Sequence, residues 1–305
     1  MGLLGSWLES LDYDYNVLDS CVRKKSRKAT CTSCIESCPD DAIELKNGEP
    51  VINSDKCTAC GCCMVACPVQ AIEGIFPKKA IAGNQLAAEN EKPLTVTELL
   101  IIHARGVTTI LSQEKEIDLE WNDNIQEANA ILAQLGKPPF LVTDSVLTAE
   151  EETAYTRREL FSLWGKESKS TVANITPAKW RFNHSSLELA KYYPDHQFFD
   201  VSVDEEKCTL CKICSSLCPK GCFSLEETEF AISSQACSNC GLCVDTCPEG
   251  AVMIEARIAE ASKETHQAIR KTCPDCKQSY LTFNEGDGKC RVCANRRGDF
   301  LRSKV

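Results

Sequence analysis

The sequence predicts an α+β multidomain chain: two small cysteine-pinned modules flank a small α/β domain, and a four-cysteine ribbon follows the second module. Three observations predict it. Seven cysteines, Cys31, Cys34, Cys38, Cys57, Cys60, Cys63 and Cys67, recur after a constant shift of 180 residues as Cys211, Cys214, Cys218, Cys237, Cys240, Cys243 and Cys247. The stretch between the blocks, from about residue 74 to 207, holds no cysteine and has the apolar periodicity of an ordinary globular domain. Beyond the second block, Cys273-Pro-Asp-Cys276 and Cys290-Arg-Val-Cys293 form two Cys-x2-Cys knuckles. These marks divide the chain into residues 1–76, 77–200, 201–258 and 259–305.

The opening MGLLGSWLESLDYDY lacks a basic n-region and a cleavage site, which argues against secretion. Leu4, Trp7, Leu8 and Leu11 instead predict a short amphipathic helix leading the first module. In that module Cys57-x2-Cys60-x2-Cys63-x3-Cys67-Pro68 is complete, whereas the run Cys31-x2-Cys34-x3-Cys38-Pro39 lacks its first thiol. Lys28 stands in that place, and the nearest upstream thiol, Cys21, lies seven residues earlier. Cys62 aligns with Leu242, so it reads as an apolar packing residue.

In the middle domain, Val107–Leu111 is strand-like, residues 122–135 carry Ile125, Ala128, Leu132 and Leu135 at helical spacing, and Phe140–Val142 is the next strand. Gly136, Pro138 and Pro139 stop the helix. That order predicts a βαβ unit with parallel strands. Thr148 and Glu151 mark a capping box for a helix through about Trp164, and Arg157-Arg158 reads as its surface. No glycine-rich loop follows either strand, so nucleotide or flavin binding is not supported, and the domain reads as scaffold or docking surface. His103, His184, His196 and His266 fit no metal or triad spacing and read as structural.

The second block is Cys208-x2-Cys211-x2-Cys214-x3-Cys218-Pro219 followed by Cys237-x2-Cys240-x2-Cys243-x3-Cys247-Pro248. Three thiolates on one tight loop grip three corners of a cubane, and the fourth corner comes from elsewhere in the chain. Zinc held by paired Cys-x2-Cys units is the alternative, but zinc needs neither the third cysteine nor the fixed x3 step. The block resembles the bacterial two-cluster ferredoxin family, in which the last cysteine of each run serves the other cluster. The resemblance implies a ferredoxin-like dicluster fold with one cluster on Cys208, Cys211, Cys214 and Cys247 and another on Cys237, Cys240, Cys243 and Cys218. Carried to the first block, it implies sets of Cys57, Cys60, Cys63 and Cys38, and of Cys31, Cys34 and Cys67 with Cys21. Without Cys21 that last site is a three-iron cluster or takes a non-cysteine ligand. Cys222 aligns with Ala42, and Ala71 and Ala251 hold the same place after their own Cys-Pro steps, so Cys222 reads as packing.

The two C-terminal knuckles resemble a zinc ribbon, with Cys273, Cys276, Cys290 and Cys293 as a closed tetrahedral cage. A rubredoxin-type iron site and disulfides are the alternatives. The latter are disfavoured by a cytoplasmic reading. No apolar run approaches the roughly 18 residues of a membrane span. Residues 201–255 carry nine acidic and three basic side chains, against seven of each in residues 21–76. Arg23, Lys24, Lys25, Arg27 and Lys28 concentrate in the loop beside the irregular corner, where they would attract an acidic redox partner or raise a nearby potential. From residue 271 onward eight basic residues oppose four acidic ones, yet the net charge of -10 argues against nucleic acid as the main partner.

The resemblance implies an electron-transfer protein or subunit with four [4Fe-4S] clusters and one zinc, serving a larger oxidoreductase such as a molybdopterin enzyme or hydrogenase. Two other classes stay open: an accessory or maturation protein for such an enzyme, and a redox-sensing nucleic-acid regulator. With no Walker loop, dinucleotide fingerprint or nucleophile motif, substrate chemistry is expected to belong to a partner.

Overall fold

The 180-residue repeat is carried into the backbone. The computed structural model describes residues 15–74, 76–77, 79, 81–88, 93–112, 117–143 and 187–294. They fall into two units, Met1–Lys24 with Thr32–Tyr193, and Lys25–Cys31 with Pro194–Val305. The helix expected at Leu4–Leu11, the one capped at Thr148, and Arg157, Arg158 and His184 lie outside the described residues, as do residues 295–305.

The first unit opens with β1 (Asn16–Val17), α1 (Val22–Lys25) and α2 (Ser33–Glu36), then a hairpin of β2 (Ile43–Lys46) and β3 (Glu49–Ile52). Asn47 and Gly48 both have positive φ, 55° and 86°, the mirror-image turn whose twist matches that of the flanking strands. Helix α3 (Cys62–Ala66) and strand β4 (Ile72–Glu73) complete the module, with β4 pairing antiparallel to β1. Its core holds Tyr15, Cys21, Ile43, Cys63, Met64, Cys67, Ala71 and Ile72.

The same unit continues into the expected βαβ arrangement, preceded by two further strands and one further helix. Strands β5 (Ile81–Ala82), β6 (Gln85–Ala88), β7 (Thr109–Ser112) and β8 (Leu141–Thr143) form one sheet in sequence order, with β6–β7 and β7–β8 parallel. Helix α4 (Val96–Ala104) joins the first parallel pair, and a complete Thr95–Glu98 capping box sets its start. Helix α5 (Leu119–Gln134) joins the second and buries Trp121, Ile125, Ala128 and Leu132, one stripe of the helical period. It ends where Gly136 turns left-handed at φ 65° and the Lys137 N–H reaches the Leu132 carbonyl at 2.8 Å. Helix α6 (Leu189–Tyr192) is followed by Tyr193, whose hydroxyl donates to the Leu100 carbonyl at 2.8 Å. His103 packs edge-on to Phe140 with Nε2 2.9 Å from the Pro138 carbonyl, and burial lowers its pKa.

The second unit repeats the module and adds to it. Strand β9 (His196–Val203), helix α7 (Ile213–Leu217), the hairpin β10 (Phe223–Glu226) and β11 (Glu229–Ser233), helix α8 (Leu242–Thr246) and strand β12 (Val252–Glu260) follow in order. Shifted by 180, β2, β3, α3 and β4 fall on β10, β11, α8 and the start of β12. β9 pairs antiparallel with β12 as β1 does with β4, over a longer stretch and with a bulge between Ala256 and Ala259. Strand β9 begins before residue 201, so residues 194–200 group with the second module. Strand β13 (Lys263–Gln267) then adds to the outer edge of β11, and the hairpin β14 (Ile269–Thr272) and β15 (Ser279–Thr282), with helix α9 (Arg291–Ala294), forms the ribbon. Arg291 bonds Glu249 at 2.8 Å, tying the ribbon to the turn after Cys247. Segment 25–31 is held in this unit by Thr30, whose N–H and Oγ1 donate to the Asp245 carboxylate at 2.7–3.1 Å.

Candidate metal centres

A thiol loop that wraps a compact centre must turn tightly, and the backbone shows where this chain does so. In three of the four half-modules, the residue before the second cysteine and the one after it both have positive φ: Ala59 and Gly61, Leu210 and Lys212, Asn239 and Gly241. Such successive turns aim backbone N–H groups and side chains inward. The fourth half-module differs, since Thr32 has φ -124° and Thr30 is not left-handed. This is the half with Lys28 in place of a cysteine. After each Cys-Pro step the chain turns left-handed again, at Asp41, Gln70, Gly221 and Gly250. The next residue then donates its N–H to the cysteine sulfur: Ala42 to Cys38 (3.2 Å), Ala71 to Cys67 (3.1 Å), Cys222 to Cys218 (3.4 Å) and Ala251 to Cys247 (3.3 Å).

These turns bring cysteines together around pockets. One is lined by Cys208, Cys211, Cys214 and Cys247 with Phe230 and Val252. Another is lined by Cys38, Cys57, Cys60 and Cys63 with Tyr15, whose hydroxyl donates to the Ala59 carbonyl at 3.1 Å. Cys218, Cys237, Cys240 and Cys243 lie close enough for each thiolate to raise the cost of ionising its neighbours. Of the remaining set, Cys21, Cys34 and Cys67 share the apolar cluster of the first unit, while Cys31 falls in the segment of the second unit, beside Cys240. The ribbon sulfurs of Cys273, Cys276, Cys290 and Cys293 all lie within 4.8 Å of one another.

The donor chemistry fits iron-sulfur clusters in the modules. Burial, then neighbouring thiolates, push Cys63 and Cys243 up to about 12, and burial pushes Cys214 and Cys240 up to about 11. Thiols so placed ionise only against a compensating cation, which a multivalent iron centre is. The hydroxyls of Thr209 and Ser238, each following the first cysteine of its run, are buried without a partner. Sulfide and thiolate acceptors would satisfy them. The ribbon instead offers four converging thiols and, among the described residues, no fifth donor, the set suited to a closed tetrahedral ion.

Two thiols do more than their alignment implies. Cys222 is buried, as expected of a packing residue, but its thiol is also within hydrogen-bonding reach of both Cys218 and Cys237, either of which can accept its single proton. Such a bond lowers its acceptor, Cys218 to about 6. The available signal was that alanine fills the same place in the other three half-modules. Cys62 is half-buried, bonds Cys60 and lies near Glu98 and Lys79, which pair at 3.0 Å.

Three segments match the 4Fe-4S binding domain, residues 50–73, 201–224 and 230–253. These are ferredoxin-type iron-sulfur domains, and they cover the three regular half-modules. The chain is 54% identical over 105 residues to an uncharacterized ferredoxin of Methanocaldococcus jannaschii, covering 34% of this chain and 66% of that protein. It is 44% identical over 43 residues to one subunit of an ion-translocating oxidoreductase complex of Methanosarcina acetivorans, covering 14% of this chain and 16% of that protein. It is 43% identical over 37 residues to the polyferredoxin-like subunit of an aliphatic sulfonate oxidoreductase of Pyrococcus furiosus, covering 12% and 21%. The chain thus spans less than two thirds of each of these relatives. Among the described residues no helix is long and apolar enough to cross a membrane.

Proposed function

We propose that this chain is an electron-transfer protein or subunit with four [4Fe-4S] clusters and one zinc, carrying electrons between a redox donor and a larger oxidoreductase in the cytoplasm. The proposed cluster sets are Cys208, Cys211, Cys214 and Cys247; Cys237, Cys240, Cys243 and Cys218; Cys57, Cys60, Cys63 and Cys38; and Cys21, Cys31, Cys34 and Cys67. Zinc is assigned to Cys273, Cys276, Cys290 and Cys293 in a ribbon module, residues 259–305, and the α/β part between the modules serves as scaffold. Bound clusters would supply one-electron storage at potentials set by hydrogen bonds, charge and exposure. The protein's own part is to fix the thiolates, donate N–H groups to the four Cys-Pro sulfurs and exclude water with Phe230, Tyr15 and the strand residues.

The observation that carries the reading is the repeated left-handed loop with inward thiols, found in each segment that matches the 4Fe-4S binding domain. The relatives named as subunits of oxidoreductases support a partner enzyme as the site of substrate chemistry. A molybdopterin enzyme or a hydrogenase fits that role. The test is anaerobic purification from the native cell with metal analysis. About sixteen iron, sixteen acid-labile sulfide and one zinc per chain are expected, with reversible reduction and a co-eluting oxidoreductase. Native protein with zinc in the modules and no labile sulfide would overturn the proposal.

A further inference from the structure

The second module carries a histidine built against one of its pockets. Strand β13 sets His266 directly opposite Phe230, which lines the pocket of Cys208, Cys211, Cys214 and Cys247. The imidazole packs against Phe230 and Phe283 at centroid distances of 6.3 and 6.0 Å, and its side chain is 17% exposed. Nδ1 lies 2.6 Å from Glu205 Oε1, three residues before Cys208. That carboxylate accepts the Nδ1–H hydrogen bond and leaves Nε2 as the basic nitrogen. Nε2 is buried without a hydrogen-bond partner, while Glu264 Oε2 waits 3.8 Å away.

We propose that His266 takes up a proton when the cluster on Cys208, Cys211, Cys214 and Cys247 takes an electron, so that this centre transfers the two together. The proposal rests on the electron-transfer reading above. A low-potential one-electron donor reduces the cluster by one electron. One proton from solvent adds to His266 Nε2, Glu264 closes in to accept the new N–H, and the proton leaves on reoxidation. Phe230 is buried, lines the pocket and packs on the imidazole, so the attraction between the two charges is screened less than in bulk water. Of the other charges nearby, Lys212 and Glu249 line the same pocket, Glu249 pairing with Arg291, and several more are engaged or turned away. Asp204 pairs with Lys207 at 2.7 Å, Arg270 donates to the Glu227 carbonyl at 3.1 Å, and Lys271 donates to the Asp287 carbonyl at 3.1 Å. Glu229 and Lys263 lie an odd number of positions from the Phe230–His266 pair, which turns their side chains to the opposite sheet face. The first module supplies an internal comparison. There the hairpin β2–β3 is two-stranded among the described residues, and Pro50 stands at the position of Phe230.

The test is the midpoint potential of the cluster-loaded full chain, followed by electron paramagnetic resonance across the range where histidines titrate, about pH 5 to 8. Histidine proton resonances are titrated alongside in the oxidised and reduced protein. The potential of one second-module cluster should fall as pH rises, by the equivalent of a tenfold change in proton affinity, about 59 mV for a one-electron couple. His266→Gln should abolish the slope at unchanged iron content, and Glu264→Gln should reduce it. A pH-independent potential in the parent protein, an equal slope in His266→Gln, or a His266 titration identical in both redox states would sink the proposal alone. Absence of iron and labile sulfide from the second module would remove the electron-transfer reading and this proposal together.

Discussion

Lys28 stands where the register calls for a thiol, and a protonated amine cannot ligate iron. Cys21 is the residue proposed to fill that corner, and it is buried in the same cluster as Cys67, with Cys34 packed against it. Cys21→Ser should therefore damage one cluster only. Iron analysis should show a loss of about four iron, or resonance spectra a three-iron signal, with the other three clusters intact because none of their proposed ligand sets includes Cys21. Unchanged iron and spectra would move the corner to Cys62 or a non-cysteine ligand. Cys273 supports a second prediction. Backbone N–H groups of Cys276 and then Cys290 lower its thiol from 9.0 to about 6. A depressed folded value means the thiolate's contribution is present above the ordinary thiol range and is lost as pH falls through about 6. Zinc should stay bound at neutral pH and be released to a chromophoric chelator only when acid protonates the thiolates, below the pH at which the metal-free thiol would protonate because the ion competes with the proton, while module iron is unaffected. Release of iron in step with zinc would show that the ribbon is not a separate site.

At the scale of elements, the short β1–β4 pair places Tyr15 over the pocket of Cys38, Cys57, Cys60 and Cys63. A Cβ on Gly74 would overlap the Tyr15 ring. Gly74→Ala should thus cost about 1–3 kcal/mol and loosen one first-module cluster, measured as a lower melting temperature and faster iron loss to a chelator. Wild-type iron retention would show that Tyr15 does not guard that pocket. The same scale shows what sequence could and could not reveal. The cysteine loops were legible because metal-binding loops must be local, so their spacing is written in consecutive residues and repeats at 180, whereas the hairpins and short helices between them were not read from it. The βαβ unit was legible from period alone, within one to three residues at each boundary. Strand β6 was not, since Gln85–Ala88 is too short to show alternation. Strand β13 was not either: Lys-Glu-Thr-His-Gln has no apolar period, and it becomes a strand only because the edge of β11 receives it. His266 reads as structural in the sequence for the same reason, as its neighbours Glu205 and Phe230 are remote along the chain. The placement of residues 25–31 depends on the Thr30–Asp245 bonds, 215 positions apart, which no local pattern announces.

At the scale of the whole molecule, two kinds of stability coexist along the chain. The α/β part buries Leu86, Leu99, Leu100, Ile110, Leu111, Trp121 and Leu132 almost completely under a four-stranded sheet, and so carries a core of its own. The ferredoxin-type modules are short-stranded, with pairs as small as Asn16–Val17 on Ile72–Glu73, and much of their interior is cysteine. Strand pairs of that size are marginal in water, and small domains with little apolar core need crosslinks. Clusters and zinc would serve as those crosslinks, so folding of the modules should be linked to metal while folding of the α/β part should not. Stripping iron and zinc anaerobically with a chelator should therefore abolish amide-exchange protection in β2–β3, β10–β11, α3, α7 and α8. Protection in β6, β7, α4 and α5 should persist, and thermal unfolding of the stripped protein should retain one cooperative transition for that part. Loss of protection throughout would mean that the α/β part depends on its neighbouring module for folding. Retention throughout would mean that the cysteine loops are preformed, in which case the left-handed residues at Ala59, Leu210 and Asn239 hold their strain without help from bound metal.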